Sequence, residues 1–296
     1  MASDHILPVL DVLQKEMLLF ASLCFLIGAI DDMVFDGLWI FYRLRRRLFV
    51  YSRYRRATVE TLGDARPDGR LAIFVPAWNE APVIGAMLER CLRQWRAGAY
   101  RIYVGCYPND QATIAAVAAA ASGSEELRLV VLHDAEDLVH PEELRLLRHL
   151  VSRAALVQLP VIPRRATRSR WIAGHYGDEF AELHGKQMVM REALGASMPS
   201  AGVGCAFARD ALMNLSARTQ GNPFDSRSMT EDYELGLKLT EGDSRGIFVR
   251  LRDQRGQLVA TQEFFPDKLA DAVRQKSRWI AGISLSGWDR MGWKSN

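Results

Sequence analysis

Between residues 71 and 161 the chain alternates short apolar runs with stretches of helical periodicity, and this alternation constrains the fold more than any other feature. Leu71 to Val75 is an apolar run with a β-branched bias that stops at Pro76, which marks a short buried strand. Pro82 can open a helix, and Val83, Ile84, Met87, Leu88, Cys91, Leu92 and Trp95 then recur at helical spacing. Arg101 to Cys106 reads as a second strand, Gln111 to Ala121 as a helix and Leu127 to Leu132 as a third strand. Pro141 to Leu150 reads as another helix and Ala155 to Val161 as another strand. Strands separated by helices imply an α/β fold with a mostly parallel sheet flanked by helices. Ligands of such sheets bind beyond the carboxyl ends of the strands.

Composition narrows the class. A chain of 296 residues suggests one large domain or two modest ones. With 49% hydrophobic and 25% charged residues it is no disordered chain, and a net charge of +3 gives no reason to expect a polyanionic partner. Cys24, Cys91, Cys106 and Cys205 are far apart, with no Cys-x-x-Cys or Cys/His metal spacing. A disulfide framework and a zinc site are therefore not expected, and the cysteines fit a reducing, cytosolic setting.

The first 56 residues differ from the rest. Met17 to Ile30 carries no charge, but as a helix it spans only about 21 Å against a hydrocarbon core of about 30 Å. Continuing to Tyr42 gives the length and brings in Asp31, Asp32 and Asp36, carboxylates that belong at an interface or against protein. A cleaved signal peptide fits poorly, because no basic region leads the run. Arg43, Arg45, Arg46, Arg47, Arg53, Arg55 and Arg56 follow, interleaved with Phe49, Tyr51 and Tyr54. A nucleic-acid arm, a solvated helix face and a juxtamembrane basic stretch all fit this pattern. The last accounts best for positive residues beside an apolar segment and puts the remainder on the cytoplasmic side. The expected organisation is a membrane anchor with its basic segment over residues 1–56, a linker over 57–70 containing Gly63, Pro67 and Gly69, and the α/β domain over 71–296.

Chemistry-bearing residues sit where the strands end. Pro76, Ala77, Asn79 and Glu80 close the first strand, a place where a plain strand-to-helix turn would also suffice. Asp134, Glu136 and Asp137 close the third; three carboxylates within four residues suit a hard divalent cation or the first turn of a helix. Thr230-Glu231-Asp232 precedes an apolar helix, where Thr230 as N-cap would need no chemistry. Gln275, Arg278 and Trp279 lie in an amphipathic helical stretch. Gly204 and Cys205, in Gly202-Val203-Gly204-Cys205, mark a tight turn or a close approach to a ligand.

In this order the motifs resemble the family-2 glycosyltransferases, and among them the membrane-embedded branch of the cellulose and hyaluronan synthases. The Val75–Glu80 and His133–Leu144 segments resemble most narrowly a group of bacterial inner-membrane transferases. The resemblance covers roughly residues 70 to 290. It implies a GT-A-type nucleotide-diphospho-sugar transferase fold with an N-terminal membrane helix. Pro76, Ala77, Asn79 and Glu80 would hold the nucleotide of the donor, and Asp134 and Glu136 its diphosphate through Mg²⁺ or Mn²⁺. Asp232, with Glu231 beside it, matches the general base acting on the acceptor hydroxyl. Gln275, Arg278 and Trp279 would close over the diphosphate, with Trp279, Gly204 and Cys205 on the acceptor side. One base without a protein nucleophile implies inversion at the anomeric carbon.

The resemblance has three departures. The second strand should end in an Asp pair, but only Asp110 is available for donor contact. A strand and a helix bearing a Lys-Ala…Leu-Asn motif should precede the acidic cluster, and this βα unit is missing. The chain ends at Asn296, where relatives continue into further transmembrane helices, so the domain is expected to be incomplete; Trp288 and Trp293 suit a membrane interface. The expected activity is hexosyl or N-acetylhexosaminyl transfer from a UDP-linked donor to a surface or secreted polysaccharide at the bacterial inner membrane. Expected partners are the nucleotide-diphospho-sugar donor, a carbohydrate acceptor, membrane lipid and an outer-membrane or export protein, with no nucleic acid. The alternatives are an impaired scaffold subunit that keeps the fold, and a nucleotidyltransferase, which would release pyrophosphate instead of a nucleoside diphosphate.

Overall fold

The computed structural model describes residues 3–63, 71–95, 100–106, 109–120, 129–132, 137–164, 169–219, 223–224, 228–242 and 244–292. By internal packing the chain divides into two units, Met1–Arg56 and Ala57–Asn296.

The first unit is helix α1 (Ser3–Arg45) continued by a π turn, Arg46–Val50. The apolar run read at Met17 to Ile30 lies inside this single helix, as do Asp31, Asp32 and Asp36. Phe20, Phe25 and Ile27 are exposed, so the helix builds no core of its own, and Asp11–Val50 is long and apolar enough to cross a membrane. The Arg43 guanidinium lies 4.8 Å from the Trp39 ring and that of Arg56 4.6 Å from the Tyr51 ring, so part of the basic stretch is spent on cation–π pairing.

The second unit holds β1 (Leu71–Ala77), α2 (Ile84–Gln94), β2 (Tyr100–Cys106), α3 (Gln111–Ala120), β3 (Leu129–Leu132), α4 (Glu143–Leu150), β4 (Leu156–Gln158) and β5 (Val161–Arg164). It continues with α5 (Arg170–Glu182), α6 (Met188–Leu194), β6 (Cys205–Ala208), α7 (Arg209–Arg218), α8 (Glu231–Leu239), β7 (Gly246–Phe248), β8 (Thr261–Phe264), α9 (Leu269–Trp279) and α10 (Gly287–Met291). The main sheet has the order β2-β1-β3-β6-β4-β7, with β6 antiparallel to its neighbours. The other pairings within it are parallel, so the sheet is mostly parallel as expected. The single strand expected at Ala155–Val161 is two: Pro160, which lacks an N–H, interrupts it, and β5 leaves the main sheet to pair with β8.

Side chains alternate across the sheet. On one face Ile73, Val75, Val157 and Ala206 meet Ile84, Leu88 and Cys91 of α2 and Leu144 and Leu147 of α4. On the other, Leu156, Cys205, Phe207 and Phe248 meet Met188, Met198, Leu215, Leu235 and Leu239. Among the described residues, that second face is closed over β6, β4 and β7 but not over β1 and β2. There Phe74 is 40% exposed, stacked on Tyr103 at 5.2 Å between ring centroids, and Pro76 and Gly105 are exposed as well.

The segment expected as a linker is fastened at its start. Val59 is buried in the first cluster and its N–H donates to Arg252 O at 3.2 Å. An apolar side chain there gains more from the core than from water.

Candidate active site

A cavity of about 740 Å³ opens against the second face of the sheet, lined by Phe74, Pro76, Ala201, Gly202, Thr230, Glu231, Asp232, Glu263, Gln275, Arg278 and Trp279, among others. Two carboxylates of the Thr230-Glu231-Asp232 motif and all three residues of Gln275-x-x-Arg278-Trp279 therefore share one wall system, although some forty residues of sequence separate the two motifs.

Asp232 stands in the first turn of α8, against the backbone of Gly202. Gly202 has φ +79, and a Cβ there would collide with Oδ2 of Asp232, so only glycine permits this approach. The loop that carries Gly202 is fixed from beneath. Buried Gln158 accepts from Ala201 N–H at 2.9 Å and donates through Nε2 to Val203 O at 2.9 Å, while Gly202 N–H donates to Ser200 Oγ at 3.1 Å. Burial pushes the Asp232 carboxyl up from its ordinary value; the Tyr233 N–H lowers it, Glu231 raises it and Arg278 lowers it.

The α9 side is equally constrained. Buried Tyr176 donates its hydroxyl proton to Gln275 Oε1 at 2.7 Å, which leaves the Gln275 amide N–H₂ as its donating end. Lys276 is ion-paired with Glu179 and lies 4.6 Å from the Tyr176 ring and 4.2 Å from the Trp279 ring. Trp279 packs on the cluster of Val161, Tyr176, Phe180, Val203 and Phe265. The indole is thus held by cation–π and aromatic contacts at the cavity edge.

At the strand ends, Asn79 has φ +61, a left-handed conformation that Asn tolerates better than most residues. Its N–H donates to Asp110 Oδ2. Thr113 N–H donates to Asp110 Oδ1 at 3.2 Å, and Glu80 N–H to Thr113 Oγ1 at 2.9 Å. The Thr113 side chain and the Asn79 N–H hold the Asp110 carboxyl below its ordinary value. Asp110 therefore clamps the β1–α2 turn to the start of α3. Ala77 is buried in the first cluster, and Glu80 lines a separate hollow of about 710 Å³ with Arg90, Arg93 and Asp137.

Asp134 and Glu136 lie outside the described residues, as does Trp293. The described chain resumes at Asp137, which is buried; Leu138 exchanges both backbone hydrogen bonds with Gln262, at 2.8 and 3.0 Å. Two carboxylates are the hard oxygen donors that Mg²⁺ or Mn²⁺ requires. Among the described residues no group of three or more His, Cys, Asp or Glu side chains gathers as a metal site.

Gly204 and Cys205, expected on the acceptor side, are placed beneath the loop. A Cβ on Gly204 would collide with Thr261, and Cys205 is fully buried in the second cluster with Ser200 Oγ 3.3 Å from its sulfur. Ala201 and Gly202 form the cavity wall instead. Gly202 could have been singled out as the other glycine of that motif; Gln158 and Tyr176 carry no local signal.

A mostly parallel sheet whose strand ends, acidic helix start and Gln-x-x-Arg-Trp helix surround one cavity is the arrangement of a GT-A-type glycosyltransferase fold. The family model described as Glycosyl transferase family group 2 matches residues 129–295, and that described as Glycosyltransferase like family 2 matches residues 67–130. The chain belongs to glycosyltransferase family 2.

Among curated proteins it is similar to bacteriophage adsorption protein B of Escherichia coli (strain K12), 36% identical over 334 residues that cover 95% of this chain and 45% of the relative. Bacteriophage N4 adsorption protein B of Escherichia coli O157:H7 matches with the same identity and coverage. The chain thus spans about half the length of these relatives. The matched stretch is also longer than the 296-residue chain, so the relatives carry internal residues that this chain lacks. Among solved structures, a mannosyltransferase from Pyrobaculum calidifontis in complex with GDP-Man and Mn²⁺ shares the fold, with a TM-score of 0.55 at 16% identity over 89% of this chain and 75% of that one.

Proposed function

We propose that this chain is the catalytic portion of an inverting glycosyltransferase that moves a sugar from a UDP-linked donor to a growing polysaccharide at the bacterial inner membrane. The observation that carries the reading is the enclosure of Asp232, Arg278 and Trp279 in one cavity. Asp232 takes the proton of the acceptor hydroxyl as its oxygen bonds to the anomeric carbon, and a base held above the usual carboxylate range suits that task. The bond from that carbon to the donor phosphate breaks, and the nucleoside diphosphate leaves. Arg278 neutralises charge growing on the leaving group, Gln275 donates from its amide, Trp279 offers a face to a sugar ring, and Glu231 tunes the base. Pro76 and the clamped Asn79–Glu80 turn bind the donor. A divalent cation, Mg²⁺ or Mn²⁺, held by Asp134 and Glu136 would add positive charge at the diphosphate. Helix α1 anchors the chain, with the basic stretch on the cytoplasmic side, over the proposed division at residues 1–56, 57–70 and 71–296. The Mn²⁺ and GDP-Man of the Pyrobaculum calidifontis mannosyltransferase support a divalent metal and a nucleotide-sugar donor.

Titration of UDP into the detergent-solubilised full chain, with and without Mn²⁺, followed by a panel of UDP-sugars, tests this. Metal-dependent binding and release of UDP are expected, with transfer abolished in Asp232→Asn. Release of pyrophosphate would point to nucleotidyl transfer.

A second reading, an impaired scaffold subunit, is favoured by Asp110, whose two carboxylate oxygens are both engaged by the backbone. It predicts no turnover with any donor.

A further inference from the structure

Glu234 lies two residues beyond Asp232 on α8, and at about 100° per residue its side chain leaves the helix on the opposite side. That side is buried, with the Glu234 side chain only 2% exposed. Ser228 Oγ donates to Glu234 Oε1 at 2.7 Å, and Lys238 Nζ reaches Oε2 at 3.3 Å. Arg290 grips Oε1 through Nε at 3.0 Å and through Nη2, and also donates to Ser228 Oγ at 3.0 Å. Lys238 belongs to α8 itself, whereas Arg290 comes from α10. Burial alone would raise the Glu234 carboxyl, but Arg290, Ser228 and Lys238 outweigh it and hold the group ionised below its ordinary value. Removing one partner of such a pair leaves a buried charge uncompensated.

A second contact joins the same elements. Thr230, just before α8, makes no capping bond; its buried hydroxyl has no hydrogen-bond partner among the described residues. It presses on Gly282, where a Cβ would come within 2.7 Å of that hydroxyl. Gly282 lies in the π turn Ile280–Ser286 that follows Trp279 directly. A buried hydroxyl without a partner is unfavourable, so the contact needs another interaction to hold it closed, and the Arg290–Glu234 pair is placed to do so.

We propose that Glu234 and Arg290 are positioning residues whose ion pair latches the segment after Trp279 onto α8, setting the separation between the Asp232 carboxylate and the Gln275–Trp279 edge of the cavity. This rests on the transfer reaction proposed for that cavity.

The test uses the full chain in detergent with Glu234→Gln, Arg290→Gln, both together, and Gly282→Ala, which changes no charge. Hydrogen exchange at the amides of residues 229–235 reports on the latch without turnover. It is expected to accelerate about tenfold or more in each variant while the remaining core stays protected; wild-type exchange overturns the latch. Where turnover is measured, kcat is expected to fall about 10- to 100-fold with the KM for donor changed less than about threefold. The double variant should be no worse than the poorer single one. Unchanged kcat, additive losses, or a loss carried by KM alone overturns the proposal. Should Glu234→Gln fail to fold, Gly282→Ala carries the same two expectations. A wild-type chain that transfers no sugar, in which exchange still responds as expected, overturns the transfer reading and leaves the latch standing.

Discussion

The second face of the main sheet is built two ways. Over β6, β4 and β7 it is closed by Met188, Met198, Leu215, Leu235 and Leu239, and the helix that brings Leu235 and Leu239 into this core also carries Asp232. Over β1 and β2 the same face leaves Phe74, Pro76 and Gly105 open, and β2 is the sheet's edge. Central strands of α/β sheets are ordinarily covered on both faces. The difference teaches that Asp232 and the Gln275–Trp279 wall rest on a closed core, whereas on β1 and β2 the same face is left as cavity floor at Phe74, Pro76 and Gly105.

The strongest test separates the chemistry proposed for the closed end from the donor binding proposed for the open end. Asp232→Asn is expected to lower transfer about 100- to 10,000-fold while UDP affinity, measured by calorimetry, stays near wild type; equal loss of both would erase the distinction. Next in size, Phe207→Ala should cost about 3–5 kcal/mol in denaturant unfolding, whereas Phe74→Ala should stay within about 1 kcal/mol. A comparable cost at Phe74 would mean that something closes the open end after all.

The closed end should also respond to acid. His184, stacked edge-on against Phe248 at 5.5 Å and accepting from Val161 N–H through Nδ1, is pushed down to about 4 by burial and by nearby Arg250. A group kept neutral in the fold binds fewer protons than in the unfolded chain. Stability is therefore full above about pH 6.5 and falls by up to about 3 kcal/mol as pH drops toward 4. Thermal melts across that range should show the loss, and His184→Gln should flatten it.

The smallest effect concerns Asp232, the proposed base. Arg278→Met removes a charge that lowers the Asp232 carboxyl, so the acid limb of kcat/KM should move to higher pH. Glu231→Gln removes one that raises it, so the limb should move to lower pH, each by less than about one unit.

Much of the fold was legible because strand and helix periods are local. The apolar spacing places β1 and α2, although β1 runs on through Pro76 to Ala77 and α2 begins at Ile84 instead of at Pro82, and Thr230-Glu231-Asp232 at the start of α8 and Gln-x-x-Arg-Trp at the end of α9 meet at one cavity. What was not legible depends on contacts between distant segments. Pro160 splits one expected strand because the second half has a partner in β8. Thr230 has the sequence of an N-cap but serves as a contact for Gly282. Asp110 has the position of a ligand and acts as a clamp. Glu234 and Arg290 carry no pattern that would single them out, since nothing in a helix's own periodicity records which distant arginine meets it.

The π turn at Ile280–Ser286 makes one further quantity significant, the number of residues between Trp279 and Arg290. A helix is a screw, and each residue added or removed turns everything after it by about 100°. Deleting one residue from this turn would leave Gln275, Arg278 and Trp279 in register with the cavity while pointing Arg290 away from Glu234. Relatives that use the same arrangement should therefore vary the side chains of this turn more freely than its length, so that what is inherited there is a count.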